Sequence, residues 1–217
     1  MTREVFTQEL GDLNIEVVKM ATGVVDTIEN AVRALSNRDK DLAQQIIDGD
    51  DRFDELEADI ERKCVELIAM QQPIASDLRL ITAILKLITD LERIADHAAD
   101  ISLMTLAIAD KGGYADLDFI MKMGKLAQEM LKNTVDAYVN HLTDLAEKVC
   151  DSDNQMDQMY QEAIDFYVNC IKNDTANTYV YAKLMFVVKY LEKIGDHVTN
   201  IAEWVIYHVT GARENLN

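Results

Sequence analysis

Acidic residues spaced four apart occur in two parts of the chain, and their spacing is suited to metal binding. The first half contains two rows, one of Asp50 and Asp54 and one of Glu92, Asp96 and Asp100. The second half also contains two rows, one of Asp153 and Asp157 and one of Glu192 and Asp196. Residues four apart on a helix share one face, with Cβ atoms roughly 5–6 Å apart. Carboxylate oxygens are the ligands of hard cations, so the pattern favours magnesium, calcium, manganese or iron over a thiolate-seeking metal.

Such rows carry an electrostatic cost that a cation would remove. Like charges four residues apart destabilise an isolated helix by roughly 0.2–0.5 kcal/mol per pair, and two rows on packed helices cost more. The simpler interpretation is that the acids form solvated helix faces. Because two rows occur in each half at matched offsets, the sequence favours metal binding over that interpretation.

The rows lie within an internal duplication. LERIADHAADI at 91–101 is repeated 100 residues later as LEKIGDHVTNI at 191–201. DLAQQIIDGDDRFD at 41–54 corresponds to DLAEKVCDSDNQMD at 144–157, with six of fourteen positions identical. The chain is therefore predicted to consist of two related halves.

Apolar residues recur at three- and four-residue steps around the rows, which predicts long amphipathic helices. We expect helices at 4–36, 39–71, 75–109, 116–141, 143–173 and 176–210, and no strand. Asn37 or Asp39 is suited to cap the second helix, and Asp116 or Asp118 the fourth. Pro73 separates the second helix from the third, and Gly112 with Gly113 separates the halves.

The predicted fold class is all-α, with two tandem antiparallel three-helix bundles related by internal duplication. Short connections between consecutive helices favour this up-down-up order. The first bundle is predicted to span residues 1–112 and the second residues 113–217.

Composition narrows the possible classes of function. The 39 Asp and Glu against 21 Lys and Arg give a net charge of −18, which disfavours nucleic acid as a partner. The three cysteines form no Cys-x-x-Cys pair and predict neither a disulfide framework nor a zinc site. The sequence shows neither a secretory leader nor a transmembrane segment, so we expect a cytoplasmic protein.

The four histidines do not assemble a recognisable catalytic motif. Residues Ile94, Tyr138, Ile194 and Val205 stand three before them, so the Glu-x-x-His signature of ferritin-like di-metal sites is missing. His97 and His197 follow the central aspartates but point about 100° away from them on the helix, which favours a structural, hydrogen-bonded role between helices. His141 and His208 have no acidic residue at useful spacing, and no site is predicted from them.

The paired phrases LERIADHAADI and LEKIGDHVTNIAEWVIY, with QQPIASDLR at 71–79, resemble the signatures of the PhoU family of phosphate-signalling regulators. The resemblance covers nearly the whole chain. It implies two three-helix bundles and multinuclear metal clusters, with iron, or with magnesium, manganese, zinc or nickel in its place. The implied ligands are the acids of the family's E/D-x-x-x-D motifs, which here are Asp50, Asp54, Glu92, Asp96, Asp100, Asp153, Asp157, Glu192 and Asp196.

The resemblance also implies a function without catalytic or cofactor-binding residues. That function is negative regulation of the phosphate-starvation response, with a phosphate ABC transporter ATPase subunit and a phosphate-sensing histidine kinase as partners, and with a homodimeric state. The halves differ, since Asn154 and Asn200 stand where the first half has Asp51 and Asp100. Two alternatives stay open: a metal-dependent hydrolase acting on phosphoesters, and a metal-free helical adaptor.

Overall fold

Helices account for nearly all of the chain, in a computed structural model that describes residues 3–71, 73–112 and 116–212. No strand occurs within these ranges, and the predicted all-α class is confirmed. The helices are α1 Arg3–Asn37, α2 Lys40–Asp48, α3 Asp51–Gln71, α4 Ala75–Ile108, α5 Asp118–Asn140, α6 Thr143–Asn173 and α7 Thr178–Thr210, with a 3-10 turn at Thr175–Asn177 before α7.

Each half folds as a bundle of three antiparallel rods. In the first half the rods are α1, α2 continued by α3, and α4, and in the second half they are α5, α6 and α7. The predicted limit between the halves, at Gly112 and Gly113, falls partly outside the described residues, so the domain boundary stays a prediction. Although α1, α4, α6 and α7 are long, no helix in the described ranges is apolar enough over a sufficient length to cross a membrane.

The prediction of a single second helix over 39–71 is wrong, because the chain breaks between α2 and α3 at Gly49 and Asp50. The Gly49 N–H bonds the carbonyls of Gln45 and Ile46 at 3.1 and 3.3 Å, and α3 begins one residue after Asp50. In the second half Ser152 takes the place of Gly49, its hydroxyl bonds the Lys148 carbonyl at 2.8 Å, and α6 is continuous. Glycine lowers helix stability, which is consistent with a break in only one half.

The predicted cap of the second helix is confirmed, since the Leu42 N–H donates to Asp39 Oδ1 at 2.9 Å at the start of α2. The predicted cap of the fourth helix by Asp116 or Asp118 is wrong, because Leu117 is the N-cap residue of α5 and makes no side-chain cap. The Asp118 N–H instead donates to Asp116 Oδ1 at 2.9 Å ahead of the helix. Pro73 lies between α3 and α4, as expected of a residue that cannot continue a helix.

One hydrophobic core runs through both halves. Its α1 contribution is a stripe at three- and four-residue steps, made by Leu13, Val17, Met20, Val24, Ile28, Ala31 and Leu35. The most extensive contact between helices joins α4 to α7, one from each half. Burial follows the duplication, since Leu91, Ala95 and Ala98 are buried like their counterparts Leu191, Gly195 and Val198. Packing α4 on α7 leaves the acidic edge of each helix facing its own neighbour, α3 or α6.

Candidate metal centre

Three acids from α3 and α4 meet in a group that we call the first carboxylate cluster. Asp54, Glu92 and Asp96 each place a carboxylate oxygen within 4.8 Å of the others. Asp54 lies in the first turn of α3, directly after the break, whereas Glu92 and Asp96 lie one turn apart on α4. The cluster therefore joins one member of the first predicted row to two members of the second.

The second half repeats the arrangement with the corresponding residues. In the second carboxylate cluster, Asp157 of α6 and Glu192 and Asp196 of α7 also place oxygens within 4.8 Å of one another. Glu192 is buried, with 9% of its surface exposed. Because the same three positions converge in both halves, the clusters are part of the duplicated architecture.

The other three predicted ligands lie next to the clusters but outside the groups of three. Asp50 stands at the break before α3, and Asp153 precedes Asp157 by one turn of α6. Asp100 lies one turn after Asp96, and its Oδ2 is 3.5 Å from Nδ1 of His97. The Oδ1 atom of Asp153 is buried and has no hydrogen-bond partner of good geometry in the described part of the chain. The Thr199 hydroxyl interacts with the same carboxylate and opposes the rise of its pKa. A buried carboxylate oxygen with only this weak partner is available to a cation.

Burial, together with repulsion between acids on the packed helices, raises the pKa of three of the predicted ligands. Burial, followed by repulsion from Asp96 and Asp54, raises the pKa of Asp50 to about 6. Burial and Asp96 raise the pKa of Glu92 to about 7, although the Arg93 guanidinium acts in the opposite direction. In the second half, burial and Asp196 raise the pKa of Asp153 to about 6. Each row is thus close enough to its neighbour to oppose ionisation.

Basic side chains that the sequence analysis missed partly neutralise both clusters. Arg93 lies 3.4 Å from Glu92 Oε2 and 3.1 Å from Asp96 Oδ2. In the second cluster, Lys189 contacts Glu192 at 2.8 Å, and Lys193 contacts both Glu192 and Asp196. Their spacing of one or three residues from the acids was visible in the sequence. Among the described residues, the first cluster has one such cation and the second has two.

The donor set of each cluster fits a hard metal ion. An ion at about 2.0–2.6 Å from each oxygen joins oxygens up to roughly 5 Å apart, which accommodates the separations observed. Asp54, Glu92 and Asp96 would hold the ion in the first half, and Asp157, Glu192 and Asp196 in the second. Bound metal would supply positive charge that removes the repulsion. It would also compete with Arg93, Lys189 and Lys193 for the same carboxylate oxygens.

The two interface histidines lie beside the clusters, between α4 and α7. His197 Nδ1 is 2.8 Å from Asp90 Oδ1, and Asn200 donates to the same oxygen at 3.4 Å. The expected bond between helices is therefore confirmed for His197. His97 instead stacks on Tyr190 at 5.6 Å, and the two imidazole rings are 5.7 Å apart. These contacts tie the two halves together.

The fold and the paired clusters define a duplicated helical protein with an acidic site in each half. A family model described as the PhoU domain matches residues 17–105 and again residues 120–205. The chain belongs to the PhoU family. A relative from Clostridium acetobutylicum, named phosphate-specific transport system accessory protein PhoU homolog, is 37% identical over 218 residues and 100% of both chains. A relative of the same name from Pseudomonas aeruginosa is 35% identical over 95% of this chain and 86% of its own.

Solved structures show the same fold. The crystal structure of PhoU from Pseudomonas aeruginosa matches with a TM-score of 0.92 and 34% identity, over 95% of this chain and 100% of that one. The phosphate transport system regulatory protein PhoU from Streptococcus pneumoniae matches with a TM-score of 0.91 and 29% identity, over 97% and 100% of the two chains. The resemblance stated from the sequence is confirmed.

Proposed function

We propose that the protein is a metal-binding negative regulator of the phosphate-starvation response. In this role it couples a phosphate ABC transporter to a two-component histidine kinase and modulates phosphate uptake. The observation that carries the proposal is the full-length match to relatives named phosphate-specific transport system accessory protein PhoU homolog. The proposed partners are the ATPase subunit of the transporter and the phosphate-sensing kinase, and the protein acts in the cytoplasm as a homodimer without catalysing a reaction.

The metal part of the proposal is supported by the geometry of the acids. Two groups of three carboxylates converge at equivalent places, and a neighbouring carboxylate oxygen of Asp153 is buried with no well-formed hydrogen bond among the described residues. Iron is the proposed ion, with magnesium, manganese, zinc or nickel as substitutes, and the ligands extend along the rows to Asp50, Asp100 and Asp153. Elemental analysis of protein purified without an affinity tag and then dialysed is the direct measurement. Absence of stoichiometric metal would favour the metal-free adaptor.

The regulatory part is tested in cells that lack the native protein. We expect the wild-type chain to restore repression of phosphate-responsive genes in phosphate-rich medium. The double variant Asp96→Asn with Asp196→Asn should remain folded and helical but should not restore repression, because each cluster has lost one ligand. A matched control is Asp59→Asn, which removes an exposed acid paired with Arg62 at 2.6 Å on α3. Normal repression by a double variant that holds no metal would contradict the link between metal and signalling.

The non-enzymatic assignment has its own test. A metal-dependent hydrolase would turn over phosphoesters as purified holoprotein, and the double variant would lose that activity. We expect no turnover by either form. Size-exclusion chromatography with light scattering measures the proposed homodimer independently of both assays.

A further inference from the structure

Three basic side chains from separate helices meet at the end of the molecule where α4 begins and α7 ends. Arg79 lies in the second turn of α4, His208 in the last turn of α7, and His141 at the C-terminal cap of α5. The two imidazole rings are 5.3 Å apart in an edge-on contact. We call this group the basic end cluster. It contrasts with a chain whose net charge is −18.

The local backbone brings these groups together. His141 adopts the left-handed conformation at φ 55°, which ends α5 and turns the chain toward α6. Gly211 ends α7 at φ 75°, and a Cβ placed on it would stand 3.5 Å from Arg79 Nε. Glycine is favoured at such a cap, and here it also leaves space for the guanidinium.

The cluster contains polar nitrogens that the described residues do not satisfy. Arg79 Nε and His208 Nδ1 are both buried, and neither has a hydrogen-bond partner within the described ranges. Arg79 Nε is always a donor, whereas His208 Nδ1 donates only in the tautomer or charge state that places a proton on it. Burial, His141 and Arg79 all lower the pKa of His208, as expected where positive charges gather. Buried polar groups are nearly always paired, so two orphaned nitrogens in one cluster indicate an acceptor that is not part of these residues.

The chemistry of the cluster identifies the class of that acceptor. A guanidinium offers a planar fork of donors that matches carboxylate and phosphate oxygens, and an imidazole adds a further N–H. Of the three cluster residues, His141 lines a groove of about 520 Å³, together with Lys19. No acid is among the residues that line this groove.

We propose that Arg79, His208 and His141 form a binding site for a small oxyanion, either free phosphate or a carboxylate group. The site is separate from the carboxylate clusters, uses opposite charge, and does not depend on the proposed regulatory function. Arg79 is the principal contact, and His208 on α7 supplies a second donor when its Nδ1 carries a proton.

The test titrates the purified full-length protein with inorganic phosphate, and in parallel with acetate and with chloride at equal ionic strength. Calorimetry measures affinity, and the imidazole C2–H resonances report contact at His208 and His141. We expect saturable binding of phosphate or acetate that chloride does not reproduce. The anion that binds more tightly shows whether the site takes free phosphate or a carboxylate group. Arg79→Gln should weaken binding by about tenfold or more, the scale expected for losing a charge-assisted contact.

Controls separate this site from the metal centres. Arg62→Gln removes an exposed arginine on α3 that pairs with Asp59, and it should leave affinity unchanged. Arg79→Lys keeps the charge but loses the fork, so it gives a second measurement if Arg79→Gln folds poorly. Binding that persists in the Arg79 variants but disappears in the Asp96→Asn and Asp196→Asn double variant would place the anion on the metal clusters and overturn the proposal. Absence of saturable binding by both anions would also overturn it.

Discussion

Replacing Asp96 by asparagine removes one charge from the first carboxylate cluster while keeping the size of the side chain. Its carboxylate lies within 4.8 Å of those of Asp54 and Glu92, so each contact is a repulsion in the metal-free protein. At this distance and with the screening of water, each repulsion costs about 0.9 kcal/mol. The two together cost roughly 1.7 kcal/mol before further screening by salt.

The substitution also removes a favourable interaction, which reduces the gain. Arg93 lies 3.1 Å from Asp96, but its side chain is 56% exposed, and such pairs contribute roughly 0–1 kcal/mol. Arg93 keeps its contact with Glu92 in the variant. The metal-free Asp96→Asn protein should therefore be more stable than wild type by about 1 kcal/mol, which for a chain of this size raises Tm by roughly 2–4 °C.

Thermal unfolding followed by circular dichroism in a chelating buffer at about pH 9 measures this change, because Glu92 is ionised only well above its raised pKa of about 7. The gain should shrink at high salt, because it arises from repulsion between partly exposed charges. Adding Mn²⁺ should reverse the order of stability of the two proteins, since on the proposed site the wild type would bind the ion with three carboxylates and the variant with two. A metal-free variant whose Tm falls below that of the Asp59→Asn control would refute the reasoning, because Asp96 would then be a stabilising structural group.

Three further predictions concern pH, asymmetry and packing. Because the pKa of Glu92 is raised to about 7 from 4.5, the native state binds more protons than the unfolded state between these pH values. As pH falls through this window, the metal-free protein should therefore gain stability, whereas the metal-loaded protein should lose its metal. Unfolding and metal release measured at successive pH values test both effects. Stepwise chelation should empty the second carboxylate cluster first, because it has two lysine neighbours and the first has a single arginine; the reverse order would contradict this account. Gly124→Ala should lower the free energy of unfolding by about 1–3 kcal/mol, since its Cβ would lie 2.7 Å from a methyl carbon of Val32. The control Gly11→Ala, which has open space on α1, should raise it by up to about 1 kcal/mol. Denaturant unfolding measures both changes.

Local spacing was sufficient to predict the helices and the acid rows. Helix periodicity depends on residues three and four apart, so the stripe on α4 and the shared face of Glu92 and Asp96 could be derived before any packing was known. The duplication added the expectation that both halves carry the same site. The missed break at Gly49 was the main error in the helices, since an isolated glycine inside a helical pattern does not by itself show whether the helix continues.

Tertiary packing decided which of these residues meet. The spacing along each helix does not specify how far α3 slides along α4, and that register places Asp54 in the first carboxylate cluster but leaves Asp50 and Asp100 beside it. The basic end cluster depends on packing still more strongly. Arg79, His141 and His208 are far apart in the chain, and only the convergence of three helix ends brings them into contact. Sequence spacing reports neighbours within one helix, whereas contacts between helices depend on how their surfaces interlock.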